Sequence, residues 1–373
     1  MGWVSAEEFG ELVSRRRRGY LAAAARGSLR VAETVYAAAV RWRNRRYDRG
    51  RATVHRVDAA VLSVGNLTLG GTGKTPMVEY LARWFGRRGV HVALVSRGYG
   101  AAADGPNDEA RELAQKLPGV PHEQRADRVA AAQAAIARYA SELLILDDGF
   151  QHRRLARDLD LVMLDATEPF GHGHVFPRGL LREPVTGLAR AHVVALSRGD
   201  LVDAARREEI RRSVACFAPA AAWVETAHAP RCLLSASGRE RPCDWLRDRS
   251  VAAFCGLGNP TAFRRLLEKL GAKLVGFRPL PDHHRYTTGD AAQLAAWARG
   301  FGAESLVCTH KDLVKLSADK WDGLPLVALV VGLEIGAGAE ALEVKLQQLL
   351  ARIQAPSTAG RATLPARPQR RSA

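Results

Sequence analysis

At 373 residues, 47% of them hydrophobic, the chain is long enough for a large core and for two domains. Its formal net charge of +16 favours an anionic partner (nucleic acid, a phosphorylated substrate or an acidic membrane surface) without choosing among them. Cys216, Cys232, Cys243, Cys255 and Cys308 form no C-x-x-C pair, which argues against a zinc site or disulfide framework, and no run reaches the roughly 18–20 apolar residues of a spanning helix.

The N-terminal residues carry Glu7, Glu8 and Glu11 without a long apolar core, so they do not read as a secretory signal. Residues 1–52 are dense in arginine, with a block at Arg15, Arg16, Arg17 and Arg18. Leu29, Val31, Val35, Tyr36, Val40 and Trp42 recur among the arginines at near-helical spacing. The pattern predicts a basic amphipathic helix. It either lies in a membrane interface or docks on its own domain with a solvated basic face.

Residues 59–64 read as a buried strand running into G-N-L-T-L-G-G-T-G-K-T-P at 65–76. Met77, Val78, Leu81, Ala82, Trp84 and Phe85 lead out with helical period. Strand, glycine-rich turn and helix start are the setting of a phosphate-binding loop. Backbone N–H groups of Thr68, Leu69, Gly70, Gly71, Thr72 and Gly73 would curl around phosphate. Lys74 would reach the β- and γ-phosphates, and the Thr75 hydroxyl would ligate Mg²⁺. Pro76 suits a first helical turn, where its missing N–H is not needed. Thr68 stands where the general pattern has glycine, and an ordinary glycine-rich turn is the plain alternative.

Residues 90–96 form a second strand, ending in Ser96-Arg97-Gly98-Tyr99-Gly100 at the carboxyl edge where ligands sit in doubly wound sheets. Asn107-Asp108-Glu109 opens a helix, either as capping acids or as a catalytic pair. A strand at 143–146 ends in Asp147-Asp148-Gly149-Phe150-Gln151-His152. Carboxylates at the tip of a strand beside a phosphate loop are placed to hold Mg²⁺, with a structural role open for one of the two. After a strand at 159–164, residues 170–184 read as a substrate-facing loop. Arg178 and Arg182 there suit an anionic substrate, while His172 and His174 lack further metal ligands nearby. With a strand at 191–197, the repeated β-then-α pattern predicts a mostly parallel sheet with helices on both faces.

Residues 218–242 turn rich in Ala, Pro, Ser and Arg and read as a linker. A second α/β series follows. A strand at 251–257 enters Gly256-Leu257-Gly258-Asn259-Pro260, with Asn259 as N-cap, and Gly271 ends the helix. A strand at 273–278 leads to Asp282-His283-His284-Arg285-Tyr286-Thr287, which offers proton chemistry, anion contact or a plain polar loop. Strands at 305–309 and 325–332 flank His310-Lys311-Asp312, whose adjacent Lys and Asp depart from the N/T-K-x-D run of guanine readers. A helix is expected at 337–353 and disorder from Pro356 onward. The division is 1–52 basic helical region, 53–225 phosphate-loop domain, 226–336 second α/β domain, and 337–373 terminal helix and tail.

Taken in order, these motifs resemble the tetraacyldisaccharide 4'-kinase family of lipid A biosynthesis, over roughly residues 36–332. The resemblance rests on V-G-N-L-T-L-G-G-T-G-K-T-P at 64–76, S-R-G-Y-G at 96–100, D-D-G-F-Q-H at 147–152, P-R-G-L-L-R-E-P at 177–184, G-L-G-N-P at 256–260 and D-H-H-x-Y-T at 282–287. The R-N-R-R-Y-D-R-G run at 43–50 resembles that family's lead-in, and Thr68 is normal for it.

The resemblance implies a phosphate-loop NTPase-like α/β fold with a second, smaller α/β domain and the active site in the cleft between the two. It implies transfer of the ATP γ-phosphate to the 4'-hydroxyl of a lipid-linked glucosamine disaccharide that already carries one phosphate. The enzyme would act with Mg²⁺, peripherally, at the cytoplasmic face of the inner membrane. Lys74 and Thr75 carry over to the phosphates and metal, Asp147 and Asp148 to the metal. Asp108 carries over as base on the acceptor hydroxyl, assisted by His283 or His284. Asn66, Arg97, Tyr99, Gln151 and His152 join Arg178 and Arg182 as the substrate-binding set. The implied partners are the lipid A disaccharide precursor and an anionic membrane surface, not nucleic acid. Asn107, Ala101, His172 and His310 depart from the family's usual residues. The competing readings are another phosphate-loop kinase, a partitioning-type ATPase (which would carry lysine at Leu69), or a nucleic-acid-binding ATPase. No recognition module supports the last.

Overall fold

The computed structural model describes residues 6–13, 19–98, 108–257, 260–281, 284 and 286–355. Two helices come first, α1 (Ala6–Val13) and α2 (Tyr20–Asp48). Then β1 (Ala60–Asn66), α3 (Lys74–Gly86), β2 (Val92–Ser96), α4 (Asp108–Lys116), β3 (His122–Gln124) and α5 (Arg128–Tyr139) follow the expected alternation. Next come β4 (Leu143–Asp147), β5 (Leu159–Asp165), β6 (Val193–Ser197), α6 (Ala204–Phe217), β7 (Ala222–Leu234) and β8 (Glu240–Arg241). The second series holds β9 (Ser250–Cys255), α7 (Pro260–Lys269), β10 (Lys273–Pro279), α8 (Thr288–Gly300), β11 (Ser305–Thr309), α9 (His310–Leu313), β12 (Lys320–Trp321), β13 (Leu324–Ile335) and α10 (Ala339–Gln354).

The strands form one sheet in the order β10-β9-β11-β13-β7-β6-β5-β1-β4-β2-β3. Along that order the neighbours within each series run parallel, and the two-residue β8 and β12 pair antiparallel with β7 and β13. The two series meet where β7, parallel to β6, pairs antiparallel with β13. Residues 218–242 are therefore not a linker, because most of the segment is β7. The three alanines and Pro230 of β7 have weak strand preference, but pairing with β6 at 222–225 and with β13 at 226–234 overrides it.

Parallel strands covered on both sides must be apolar throughout, and every residue of β2, β4 and β6 is buried. On one face Leu62 and Val64 of β1 pack with Leu81 and Phe85 of α3 and with Leu342, Leu346 and Leu349 of α10. The last helix thus returns to cover the first series. The opposite face is closed by Ala131, Ala132 and Ala135 of α5 and by Ile210 and Val214 of α6. In the second series α8 and α7 close the two faces. Asp127 caps α5 through Val129 N and Ala130 N, and Thr287 with Asp290 forms a capping box on α8.

Helix α2 docks on the first lobe along its C-terminal half, where Ala37 joins the cluster of Leu67, Phe150 and Leu181. Tyr20, Leu21, Val31, Val35 and Trp42 stay exposed. No helix among the described residues is long and apolar enough to cross a membrane.

Candidate active site

The phosphate loop connects β1 to α3. Gly70 (φ +110°) and Gly73 (φ +79°, the N-cap of α3) take backbone conformations that favour glycine. Thr68 needs no such freedom. It forms an antiparallel bridge with Leu181, flanked by Leu69 N donating to Leu180 O (2.7 Å) and Arg182 N to Leu67 O (2.7 Å). This is the physical reason for threonine where the general motif has glycine. Asn66 is fully buried, and its amide donates to Thr68 O at 2.7 Å. It braces the loop from beneath.

The loop meets the tip of β4 through another glycine. A Cβ on Gly65 would lie 2.5 Å from that of Phe150, so only glycine lets β1 pass the turn after the two aspartates. Gly149 N donates to Val64 O at 3.2 Å, which ties the two segments together. Asp147 is buried, and Asp148 takes a positive φ of 54°. Lys74 Nζ comes within 3.4 Å of Asp148 Oδ1. Arg182 Nη1 donates to both Asp148 oxygens, and Arg128 donates to the Asp148 carbonyl at 3.1 Å. Burial pushes the Asp148 carboxyl up, but Lys74, Arg182 and Arg128 outweigh it and hold it below the usual carboxylate range.

Beneath this sits a fully buried glutamate, Glu183. It accepts from Arg190 (2.8 and 3.0 Å), Gln151 (3.1 Å) and Asn44 of α2 (2.8 Å). Gln151 also donates to Asn66 O, and Arg190 stacks over Phe150 at 4.4 Å. One buried carboxylate therefore fixes the loop, the D-D-G-F-Q turn and α2 relative to one another.

Lys74, Asp147, Asp148, Gln151 and Arg182 are brought together. Arg178 is drawn to Glu33 of α2 at 3.1 Å, with His174 at 3.4 Å from the same carboxylate. His172 pairs with Glu168 at 2.7 Å. Arg97 is exposed at the end of β2. His152 is pushed down to about 4, first by burial and then by Arg128, Arg154 and Arg157. His284 is held in the second series: its Nε2 lies 3.5 Å from Asp290, its ring stands edge-on to Tyr286, and its carbonyl accepts from Lys315. Tyr99 and His283 lie outside the described residues, as does the side chain of Asp108, whose backbone opens α4.

Arg128, Glu183, Arg190 and Arg198 were not singled out by sequence. Glu183 lay in plain view inside P-R-G-L-L-R-E-P, but nothing local marks it as the buried member. Arg198, salt-bridged to Asp165, donates to Gly71 O of the loop at 3.1 Å, from a strand end with no motif of its own.

The donor set fits a hard cation shared with phosphate: the Thr75 hydroxyl and two carboxylates at a strand tip offer oxygen only. Gly73 and Lys74 bring the N-terminus of α3 and an ammonium to the same place.

Residues 25–351 match the family model described as tetraacyldisaccharide-1-P 4'-kinase. A tetraacyldisaccharide 4'-kinase of Anaeromyxobacter sp. (strain K) is 42% identical over 369 residues, covering 93% of this chain and 97% of the relative. Another, of Syntrophus aciditrophicus (strain SB), is 37% identical over 331 residues, with 82% and 88% covered. The "apo" form of LpxK from Aquifex aeolicus, crystallised in complex with ATP, superposes with a TM-score of 0.70 at 30% identity, covering 88% of this chain and 99% of that one.

Proposed function

The chain belongs to the tetraacyldisaccharide 4'-kinase family, a phosphotransferase family of lipid A biosynthesis, and from that premise we propose how its residues divide the work. The loop from Thr68 to Thr75 binds the ATP phosphates, with Lys74 on the β- and γ-phosphates. Thr75, Asp147 and Asp148 hold Mg²⁺, which when bound neutralises charge on the transferring group. Asp148 already stands between Lys74 and Arg182, so its charge is compensated where the phosphates arrive. That juxtaposition is the observation that carries the assignment.

A sugar hydroxyl is a weak nucleophile, and Asp108 takes its proton as the 4'-oxygen bonds to the γ-phosphorus. The bond to the β,γ-bridging oxygen breaks, and ADP departs with that electron pair. His283 or His284 assists, and His284 is held near Asp290 and edge-on to Tyr286. Arg97, Tyr99, Gln151, His152, Arg178 and Arg182 border the acceptor side. The division into a phosphate-loop domain and a second α/β domain, with the acceptor in the cleft between them, belongs to the same reading.

An acylated acceptor has to be met at a bilayer surface. The basic α2, with Tyr20, Leu21, Val31, Val35 and Trp42 exposed, supports a peripheral position on anionic lipid at the cytoplasmic face of the inner membrane. Nucleic acid has no part in this reading. The test is mass spectrometry of a monophosphorylated tetraacyl disaccharide incubated with protein and Mg-ATP. A product heavier by one phosphoryl group, absent with Asp108→Ala, is expected; no mass gain would refute the reading.

A further inference from the structure

At the C-terminal end of α2 lies a second concave site, a cavity of about 500 Å³ whose walls include Trp42, Arg43, Arg46, Tyr47, Arg51 and Arg154. Its charge is poorly compensated. Among the described residues, Arg43, Arg46 and Arg51 have no carboxylate partner, and Arg154 only reaches Asp127 at 3.9 Å. The nearest acid on the helix, Asp48, is taken by Arg153 at 2.7 Å. Arg43 Nε is buried without a hydrogen-bond partner. Arg46 lies over the Trp42 ring at 5.0 Å, and Arg153 over Tyr47 at the same distance. Guanidinium groups gathered in a hollow repel one another unless an anion joins them, and their planar forks match phosphate oxygens.

The position of the hollow narrows the anion. Exposed Tyr20, Leu21, Val31 and Val35 precede it on the same helix, and Trp42 stands at its rim. Arg26, Arg30 and Arg41 alternate with these apolar residues, and such a helix lies in the interface plane, where acyl chains and anionic headgroups are both within reach. The hollow also lies on the acceptor side. Tyr36 donates to Arg182 O, and at about 1.5 Å per residue Arg46 is about 15 Å further along α2.

We propose that this hollow binds the phosphate group of an acylated amphiphile, either a phospholipid of the bilayer or the phosphate that the acceptor already carries. The inference rests on the membrane-side reading of α2 given above, not on the roles of Lys74 or Asp108.

The test uses the full chain saturated with Mg²⁺ and a non-hydrolysable ATP analogue, so that the phosphate loop is filled. Arg46→Gln/Arg51→Gln removes two exposed guanidiniums of the hollow. Arg30→Gln/Arg41→Gln removes two exposed ones elsewhere on α2. Inorganic phosphate, titrated by calorimetry, is expected to bind the wild type and the second variant alike, and the first on the order of tenfold more weakly. Two further arms identify the source. Loss of flotation with phosphatidylglycerol vesicles but not neutral ones points to a bilayer lipid. A raised acceptor KM in neutral micelles, with kcat unchanged, points to the acceptor's own phosphate. Binding of the analogue reports the phosphate loop separately, so failure there is distinguishable. Equal phosphate affinity in both variants, or a loss confined to free phosphate with neither lipid arm moved, would overturn the proposal.

Discussion

Arg182 holds both carboxylate oxygens of Asp148 through a single nitrogen, Nη1, at 2.8 and 2.7 Å. A contact made by one nitrogen uses the charge of the guanidinium and not its fork. Arg182→Lys should therefore keep activity within about tenfold of the wild type, whereas Arg182→Gln should lose about 100-fold. Steady-state kinetics of both variants at saturating acceptor decide this. Equal losses would mean that the fork matters, and that Arg182 grips the substrate instead.

Lys74 sits on the other side of the same carboxylate, 3.4 Å away. Lys74→Ala should reduce transfer by about 100- to 1,000-fold through lost stabilisation of the phosphates. The thermal midpoint should barely move, since the ion pair is partly exposed and contributes little to folding. Near-normal turnover would remove Lys74 from the phosphates.

Glu183 has the opposite profile. It is fully buried and joins Arg190, Gln151 and Asn44. Glu183→Gln leaves Arg190 uncompensated in the interior, at a cost of about 3 kcal/mol. A lowered urea midpoint with the ATP-binding constant nearly unchanged in the surviving folded protein is expected. An unchanged midpoint would show that Arg190 finds another partner.

These cases show what could be read from sequence and what could not. The phosphate loop was legible because its glycines, lysine and flanking periodicities all lie within about two dozen residues. Asp147 and Asp148 were legible because they end an apolar run. Glu183 was not, because its meaning depends on Asn44, 139 positions away in the chain. Strand β7 was missed because its composition resembles a linker, and only pairing with β6 and β13 makes it a strand. The pairing of Arg178 with Glu33 was not legible, because the two lie 145 positions apart.

Two imidazoles give the fold a pH dependence. Burial pushes His122 down to about 4 against the opposing Glu123, and burial with three arginines does the same to His152. The unfolded chain binds these protons at about 6.5. Between those values the unfolded state holds protons that the folded state lacks, so stability falls as pH drops from about 6.5 toward 4. His122→Asn/His152→Asn should flatten the decline in urea midpoint between pH 7 and pH 5. An equally steep decline in the variant would place the titrating groups elsewhere.

In the second lobe, Asp312 gathers three of the sequence motifs at one buried carboxylate. It accepts from Gly256 N at 3.1 and 3.3 Å, from Tyr286 Oη at 2.9 Å and from Thr309 Oγ1 at 2.6 Å. Tyr286 stands edge-on to His284, and a Cβ on Gly256 would press to 3.1 Å from Asp312. Removing the Tyr286 hydroxyl therefore loosens the seat of His284 without touching the phosphate loop. Tyr286→Phe should cost about 1 kcal/mol of stability and lower kcat by about tenfold through a displaced histidine. ATP affinity should stay as it was. Asp312→Asn should be more damaging, since an amide offers donors where three donors already converge, and the kinetic loss should again fall on kcat. If Tyr286→Phe turned over at the wild-type rate, the carboxylate would be a fold element alone, with no hand in placing the assisting histidine.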